Sequence, residues 1–210
     1  FFYTLTMLIE FAWILAKALF SLVCIASMLR AYLLWLRMPP MNPISQLVFR
    51  VTNWIVLPIR RLMPSSQFDW ASLLAAWLLA LLAVLFRLLL AAFEAPMLGL
   101  PKGLTYGLLV LGLSLTWMIG WALKFAFVLL VLHALLSWFG AGPSATAMRP
   151  LVTQMTEPCL RPLRQLVHRG QPTGIDFSPL AALILIQLLL SLHDRAAQAL
   201  VQALLTGLAL

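Results

Sequence analysis

Three histidines are the side chains of this chain that could hold a haem or a metal ion: His133, His168 and His193. His133 lies about 6 residues from the end of one apolar block and His193 about 14 residues into another, so at 1.5 Å per residue their depths differ by roughly 12 Å. That separation argues against a haem bridged between them, and His168 lies in a basic connection. We therefore interpret the histidines as polar packing residues and expect no cofactor and no metal.

The chain lacks the motifs that mark a hydrolytic or phosphate-transferring site. It contains no G-x-S-x-G, no H-E-x-x-H and no glycine-rich phosphate loop. The carboxylates are dispersed along the sequence: Glu10, Asp69, Glu94, Glu157, Asp176 and Asp194. They are too dispersed to suggest a paired carboxylate site, and we predict that the protein is not an enzyme and has no catalytic residue.

Charged side chains inside apolar blocks are the sharper chemical signal, because a charge in hydrocarbon is costly and usually has a partner. Four are singled out: Lys17, Arg87, Lys124 and Asp194. Arg87 and Asp194 have opposite sign and occupy equivalent places in the repeat described below, so an ion pair between them is one of three interpretations. Pairing of Asp194 with Arg195, or snorkelling of Arg87 toward water, are the alternatives.

The last apolar block also carries polar residues at helical spacing. They are Gln187, Ser191, Asp194, Gln198, Gln202 and Thr206. Such a stripe forms hydrogen bonds across a helix interface, which is the reading we favour, and lining a path for water and ions is the other.

Composition identifies the solvent of this molecule as lipid. Of 210 residues, 63% are apolar and 10% are charged, against roughly 25% charged in a soluble domain. The formal net charge is +8, but the arginines concentrate in two connections between apolar segments. That placement indicates membrane topology, because basic connections stay on the cytoplasmic side, and we expect no nucleic-acid partner.

Four apolar blocks predict an all-α protein with four transmembrane helices. They cover 1–36, 70–93, 104–139 and 179–210. The connections 37–69 and 140–178 carry most of the arginines, so we predict that both are cytoplasmic and that both termini lie outside. The first and third blocks exceed the roughly 20 residues that span a bilayer, and the fate of the extra length at 1–16 and 104–120 stays open.

The chain contains an internal repeat. Residues 28–36 match 131–139 at an offset of 103, residues 57–62 match 161–166 at 104, and Asp69 matches Asp176 at 107. We therefore predict two domains, 1–100 and 101–210, each a membrane helix, a basic connection and a second membrane helix. Because each copy crosses twice, the copies share orientation and form a parallel repeat.

The two connections have helical patterning with a basic face. Gln154, Glu157, Arg161, Arg164 and His168 follow one another at steps of 3 and 4, which predicts an amphipathic segment in the cytoplasmic interface. Pro58, Pro158 and Pro162 predict that each segment is broken or in two parts. A linker on anionic headgroups and a dedicated docking surface both fit this pattern.

The ends of the connections carry capping signals. Ser178 followed by Pro179 is typical of a helix start, and Asp69 is suited to the same role in the first copy. The alternative is that Asp176 pairs with Arg164 and Asp69 with Arg60.

One run of the second copy is the pattern by which the chain resembles the YggT family: residues 156–164, Thr-Glu-Pro-Cys-Leu-Arg-Pro-Leu-Arg, followed by 174–179, Gly-Ile-Asp-Phe-Ser-Pro. The second copy carries the family positions Thr156, Glu157, Pro158, Arg161, Pro162, Arg164, Asp176, Ser178 and Pro179. The first copy keeps Thr52, Pro58, Arg60 and Asp69 but has Trp54 at the early proline and Ala71-Ser72 in place of Ser-Pro. The resemblance covers both repeats.

The resemblance implies a multi-pass protein of the bacterial inner membrane, with no enzyme activity shared across the family. Bacterial relatives are linked to osmotic-stress tolerance, potassium handling or cell division, and plastid relatives to haem attachment or nucleoid distribution. We expect a non-enzymatic accessory or assembly protein with anionic headgroups and other membrane proteins as partners, the oligomeric state being open. The alternatives are a small transporter or channel component, and a haem-attachment factor.

Overall fold

The described part of the chain is all-α, as predicted. A computed structural model describes residues 2–39, 42–63, 68–94, 103–139, 143–168 and 178–207, and these residues form six helices and no strand. The helices are α1 (Phe2–Trp35), α2 (Pro43–Leu62), α3 (Trp70–Glu94), α4 (Leu104–Phe139), α5 (Pro143–His168) and α6 (Ser178–Gly207).

Four of these helices, α1, α3, α4 and α6, are long and apolar enough to cross a membrane. The spanning segments are Thr6–Trp35, Trp70–Phe93, Leu104–Ser137 and Ser178–Leu204. The protein is therefore a multi-pass membrane protein, with the four spans that the sequence predicts. The 36 residues of α4 make a rod of about 54 Å, longer than the roughly 30 Å of hydrocarbon, and α4 remains one continuous helix.

The two basic connections are continuous helices, so the prediction that prolines break them is wrong. Pro58 lies inside α2, and Pro150, Pro158 and Pro162 lie inside α5. A proline removes one backbone hydrogen bond and bends a helix, but Pro58 and Pro162 are on exposed faces. Water can bind the freed carbonyls there, and burial of the opposite face holds each helix together.

Short side chains let α1 and α3 pack closely. The first compact unit comprises the described residues of 1–121 and 194–210, and in it α1 packs along α3 while α2 packs on both. Cys24 of α1 meets Ala76, Ala80 and Ala83 of α3 in one buried cluster. Small residues at a helix interface allow the backbones to approach, which is how packing stabilises helix pairs in lipid.

The second compact unit comprises the described residues of 122–193. Its core joins Leu130 of α4, Leu160 of α5, and Ala182 and Ile186 of α6. These packing units have other boundaries than the sequence repeats, because the first part of α4 and the last part of α6 pack within the first unit. The domains 1–100 and 101–210 describe the duplication and stay a prediction.

Candidate functional site

A buried arginine lies at the centre of the first repeat. Arg30 of α1 is only 4% exposed, and its Nη1 donates to Thr52 Oγ1 at 3.1 Å and to Asn53 Oδ1 at 2.8 Å. The Thr52 hydroxyl in turn donates to the carbonyl of Val48 at 2.7 Å. The arginine therefore joins α1 to the buried face of α2.

A carboxylate at the start of α3 balances the charge of Arg30. Asp69 Oδ2 lies 3.8 Å from Arg30 Nε and accepts a hydrogen bond of 2.6 Å from Ser72 Oγ in the first turn of α3. The guanidinium also lies 4.9 Å from the centre of the Phe49 ring, a cation–π distance. Because a buried charge needs a partner, Arg30 and Asp69 together fix α1, α2 and α3 to one another.

The second repeat has a histidine at the equivalent position. His133 matches Arg30 at an offset of 103, and Thr156 matches Thr52 at 104. His133 Nδ1 and Thr156 Oγ1 are 2.9 Å apart, and Thr156 Oγ1 also lies 2.9 Å from the carbonyl of Val152. A hydroxyl has one proton, so by analogy with Thr52 we assign it to the carbonyl of Val152 and assign the proton of this contact to His133 Nδ1.

The predicted residues of the first copy divide into a buried and an exposed set. Thr52 and Asp69 belong to the cluster around Arg30, whereas Pro58 and Arg60 are exposed on α2. Asp69 pairs with Arg30 and not with Arg60, so that alternative is wrong. Asp69 lies directly before α3 and accepts from the Ser72 hydroxyl rather than from a backbone N–H, so its capping role stays a prediction.

In the second copy, Thr156 is buried and the arginines lie outward. Arg164 pairs with Glu157, with Nη1 at 3.0 Å and 3.2 Å from its two carboxylate oxygens. Arg161 and Pro162 are exposed, and Pro158 is half-buried. The pairing predicted between Arg164 and Asp176 lies outside the described residues, because Asp176 does.

The helix start predicted at Ser178 is found there. α6 begins at Ser178, and both Ser178 and Pro179 are buried. Proline is favoured in the first turn because its missing N–H needs no partner there.

The charges within the spanning segments lie on helix surfaces. Arg87 Nη2 is 3.5 Å from Glu10 Oε1, and its guanidinium lies 5.8 Å from the Trp13 ring centre. Lys17, Lys124 and Asp194 are exposed. The ion pair between Arg87 and Asp194 stays a prediction.

Sequence reasoning assigned no role to Arg30. It interpreted His133 as a polar packing residue without naming a partner, and Asn53, Ser72 and Glu10 were not recognised as partners. The signal that could have found Arg30 and His133 is a basic side chain recurring at the same place of an otherwise apolar helix in both copies.

The outer faces of α2 and α5 combine positive charge with apolar side chains. Their exposed arginines are Arg50, Arg60, Arg61, Arg149 and Arg161. Leu47, Trp54 and Leu57 are exposed on α2 beside them. On each helix these residues are called its basic face below. Such a face attracts anionic headgroups and acidic partner segments.

These features define a class: a four-span membrane protein built from two copies of helix, amphipathic helix and helix. The chain belongs to the CCB3/YggT family, whose sequence model matches residues 9–90 and 112–196. The YggT protein of Escherichia coli strain K12 is 32% identical over 173 residues, covering 82% of this chain and 83% of that protein. A Pseudomonas aeruginosa protein is 31% identical over 174 residues, with 82% and 83% covered. No solved structure matches the chain.

Proposed function

We propose that this protein is a non-enzymatic accessory or assembly protein of the bacterial inner membrane. It would organise partner membrane proteins during envelope or osmotic stress, with the basic faces of α2 and α5 turned to the cytoplasm. The observation that carries the proposal is that α2 and α5 each have one face that packs and one face that is exposed. Buried residues such as Thr52 and Thr156 contact the spanning helices, while Arg60 and Arg161 are exposed.

The carboxylates support a structural role over a chemical one. Among the described residues, Asp69, Glu157 and Glu10 each lie within 4 Å of an arginine. These three groups therefore suit charge pairing better than acid–base catalysis.

In-cell crosslinking tests the proposal. A photoreactive amino acid at Gln154, which is exposed on α5, should capture one membrane protein at defined stoichiometry. Changing both Arg60 and Arg161 to Gln should abolish that capture, because it removes positive charge that would bind the partner from the basic faces of α2 and α5. The same photoreactive residue at Leu185, exposed in the α6 span, should yield no such adduct.

Two results would refute the accessory role. One is an identical adduct pattern from Gln154 and Leu185. The other is full capture after the changes of Arg60 and Arg161, or a loss of capture after them that Arg195→Gln, a charge change at an exposed position of α6, reproduces in full.

The rival function is a small transporter or channel component, with Arg87, Lys124 and Asp194 along the path. Ion flux by the purified protein in liposomes, abolished by Asp194→Asn, would favour it. A groove of about 420 Å³ beside Gln187 and Ser191 bears on this reading. Its other lining residues are apolar, namely Phe127, Leu183, Ile184 and Leu188, which suits lipid better than an ion.

A further inference from the structure

A pocket of about 170 Å³ opens between α4 and α5 in the second repeat. Its lining residues are His133, Leu136, Ser137, Arg149, Val152, Thr153 and Arg164. At ~30 Å³ for each water in the liquid, the space corresponds to roughly five waters. It is large enough for a tetrahedral oxyanion and its contacts.

The lining is polar and cationic. Arg149 and Arg164 contribute guanidinium groups, while Ser137 and Thr153 contribute hydroxyls. Among the described residues, the lining contains no carboxylate, and Glu157 pairs with Arg164 from outside the lining. Guanidinium groups match the geometry of phosphate oxygens, to which they can donate two parallel hydrogen bonds.

Two contacts hold the donors in place before any ligand arrives. Arg149 Nη2 donates to the carbonyl of Ser137 at 3.2 Å, which ties this side chain to the end of α4. Arg164 is held by Glu157 at 3.0 Å. Because both guanidinium groups are already positioned, a ligand would meet donors whose side-chain entropy is partly lost.

The first repeat shows why the second has this space. There the buried centre is Arg30, whose own guanidinium reaches Thr52, Asn53 and Asp69. The second repeat replaces Arg30 with the shorter His133. At the position equivalent to Arg149, 104 residues earlier, the first repeat has the small buried Ser45.

The duplication has therefore moved a positive charge from the centre of the cluster to its edge. In the first repeat the cation is internal and its counter-charge is Asp69, which belongs to the protein. In the second repeat the imidazole leaves room, and two arginines border the space. Arg164 is paired with Glu157, whereas Arg149 donates to the carbonyl of Ser137, so the border of the space carries a guanidinium that an anion would complement.

We propose that this pocket binds a phosphate-type oxyanion, carried by a lipid headgroup or by a small soluble phosphate compound. The two arginines donate to its oxygens, and the hydroxyls of Ser137 and Thr153 supply further donors. The inference goes beyond the proposed function, because it concerns only the second repeat and needs no protein partner.

Ligand-dependent thermal unfolding of the full-length protein in a neutral detergent tests the pocket. The probes are inorganic phosphate, short-chain phosphatidylglycerol and, as the uncharged control, short-chain diacylglycerol, all at matched ionic strength. A ligand that binds only the folded state raises the unfolding midpoint, with the logarithm of its concentration once that exceeds the Kd. Such a rise with phosphate identifies a soluble source, whereas a rise with phosphatidylglycerol alone identifies a headgroup, and either result supports the pocket.

Two variants that copy the first repeat locate the binding site. Arg149→Ser should raise the Kd about tenfold or more, because it removes charged hydrogen bonds. His133→Arg should abolish binding by filling the space. Arg195→Gln, an equal loss of charge at an exposed position of α6 outside both basic faces, should leave the Kd unchanged.

The proposal fails if neither phosphate probe raises the unfolding midpoint or if diacylglycerol raises it as much as they do. It also fails if Arg195→Gln weakens binding as much as Arg149→Ser, since the effect is then diffuse surface charge. Arg149 is exposed, so we expect the Arg149→Ser variant to fold. It therefore tests the pocket even if His133→Arg does not fold. If the wild-type protein binds neither phosphate probe while crosslinking from Gln154 still captures its partner, the pocket is refuted and the accessory role is not.

Discussion

Arg30 and Thr52 form a hydrogen bond of 3.1 Å that joins the first spanning helix to the amphipathic helix after it. His133 and Thr156 make the corresponding contact in the second repeat at 2.9 Å. In each copy a basic side chain within an apolar helix meets a threonine that the sequence had already marked as a motif residue. The motif threonine is therefore a packing contact between helices.

Removing the carboxylate that balances Arg30 should destabilise the first unit strongly. Asp69→Asn leaves a buried cation without its counter-charge, and breaking such a pair costs about 3–5 kcal/mol. The free energy of unfolding in mild detergent is the measurement. In an Arg30→Met background the same substitution should cost about 1–3 kcal/mol less.

Arg60→Gln serves as the control for that experiment. Arg60 is exposed on α2, so its change should shift the unfolding free energy by less than about 0.5 kcal/mol. Equal losses from Asp69→Asn and Arg60→Gln would contradict the central place given to the pair of Arg30 and Asp69.

The two motif threonines, Thr52 and Thr156, should contribute different amounts to the free energy of unfolding. Thr52→Val removes an acceptor from a charged donor, which costs about 1.5–3 kcal/mol, whereas Thr156→Val removes a partner of an imidazole at about 0.5–1.5 kcal/mol. Thr153→Val is the matched control, because no hydrogen bond of its hydroxyl is found among the described residues. A larger loss of unfolding free energy from Thr156→Val than from Thr52→Val would contradict the charged donor assigned to Thr52 and the imidazole partner assigned to Thr156.

The ion pair of Arg87 and Glu10 should couple α1 to α3 weakly. The side chains are 32% and 53% exposed, so a double-mutant cycle with Arg87→Gln and Glu10→Gln should give a coupling of about 0.5–1 kcal/mol. The same cycle with Asp194→Asn tests the predicted pairing of Arg87 with Asp194. Strictly additive losses there would remove that pairing.

The two cysteines should react very differently with thiol reagents. Cys159 is exposed, whereas Cys24 is buried and its Sγ lies 3.3 Å from the carbonyl of Ala76. Partial burial raises the pKa of the Cys159 thiol, and only the thiolate reacts. Its alkylation rate should therefore keep rising with pH beyond the point where a free thiol levels off.

Cys159→Ser is the control for that pH profile. The remaining thiol, Cys24, should react only after unfolding. If the alkylation rate of the wild-type protein levels off at the same pH as that of a free thiol, or at a lower pH, then burial does not raise the pKa of the Cys159 thiol.

The spanning helices could be predicted because hydropathy and length alone decide them. The boundaries of the blocks 70–93 and 104–139 agree with α3 and α4 to within one residue. The same reasoning failed at Pro58 and Pro158, because it treated proline as a property of one residue. Whether a helix continues through proline depends on burial of its other face, here around Val56 and Leu160.

The centre of the candidate site could not be predicted from one sequence. Arg30 was visible as a charge in an apolar run, but its partners Asn53 and Asp69 come from two other helices. Only the packing of α2 and α3 on α1 brings them together. In contrast, Thr52 and Thr156 carried a recognisable pattern and were found, although their role in packing was not.

The central claim is that the protein is a duplicated hairpin whose two amphipathic helices lie on the cytoplasmic side. Single cysteines replacing Arg60 and Arg161, in a chain without Cys24 and Cys159, test it most directly with a membrane-impermeant maleimide. We expect both positions to react in inside-out vesicles and neither in intact spheroplasts. Reaction of the two positions from opposite sides would contradict the duplication and the proposals that depend on it.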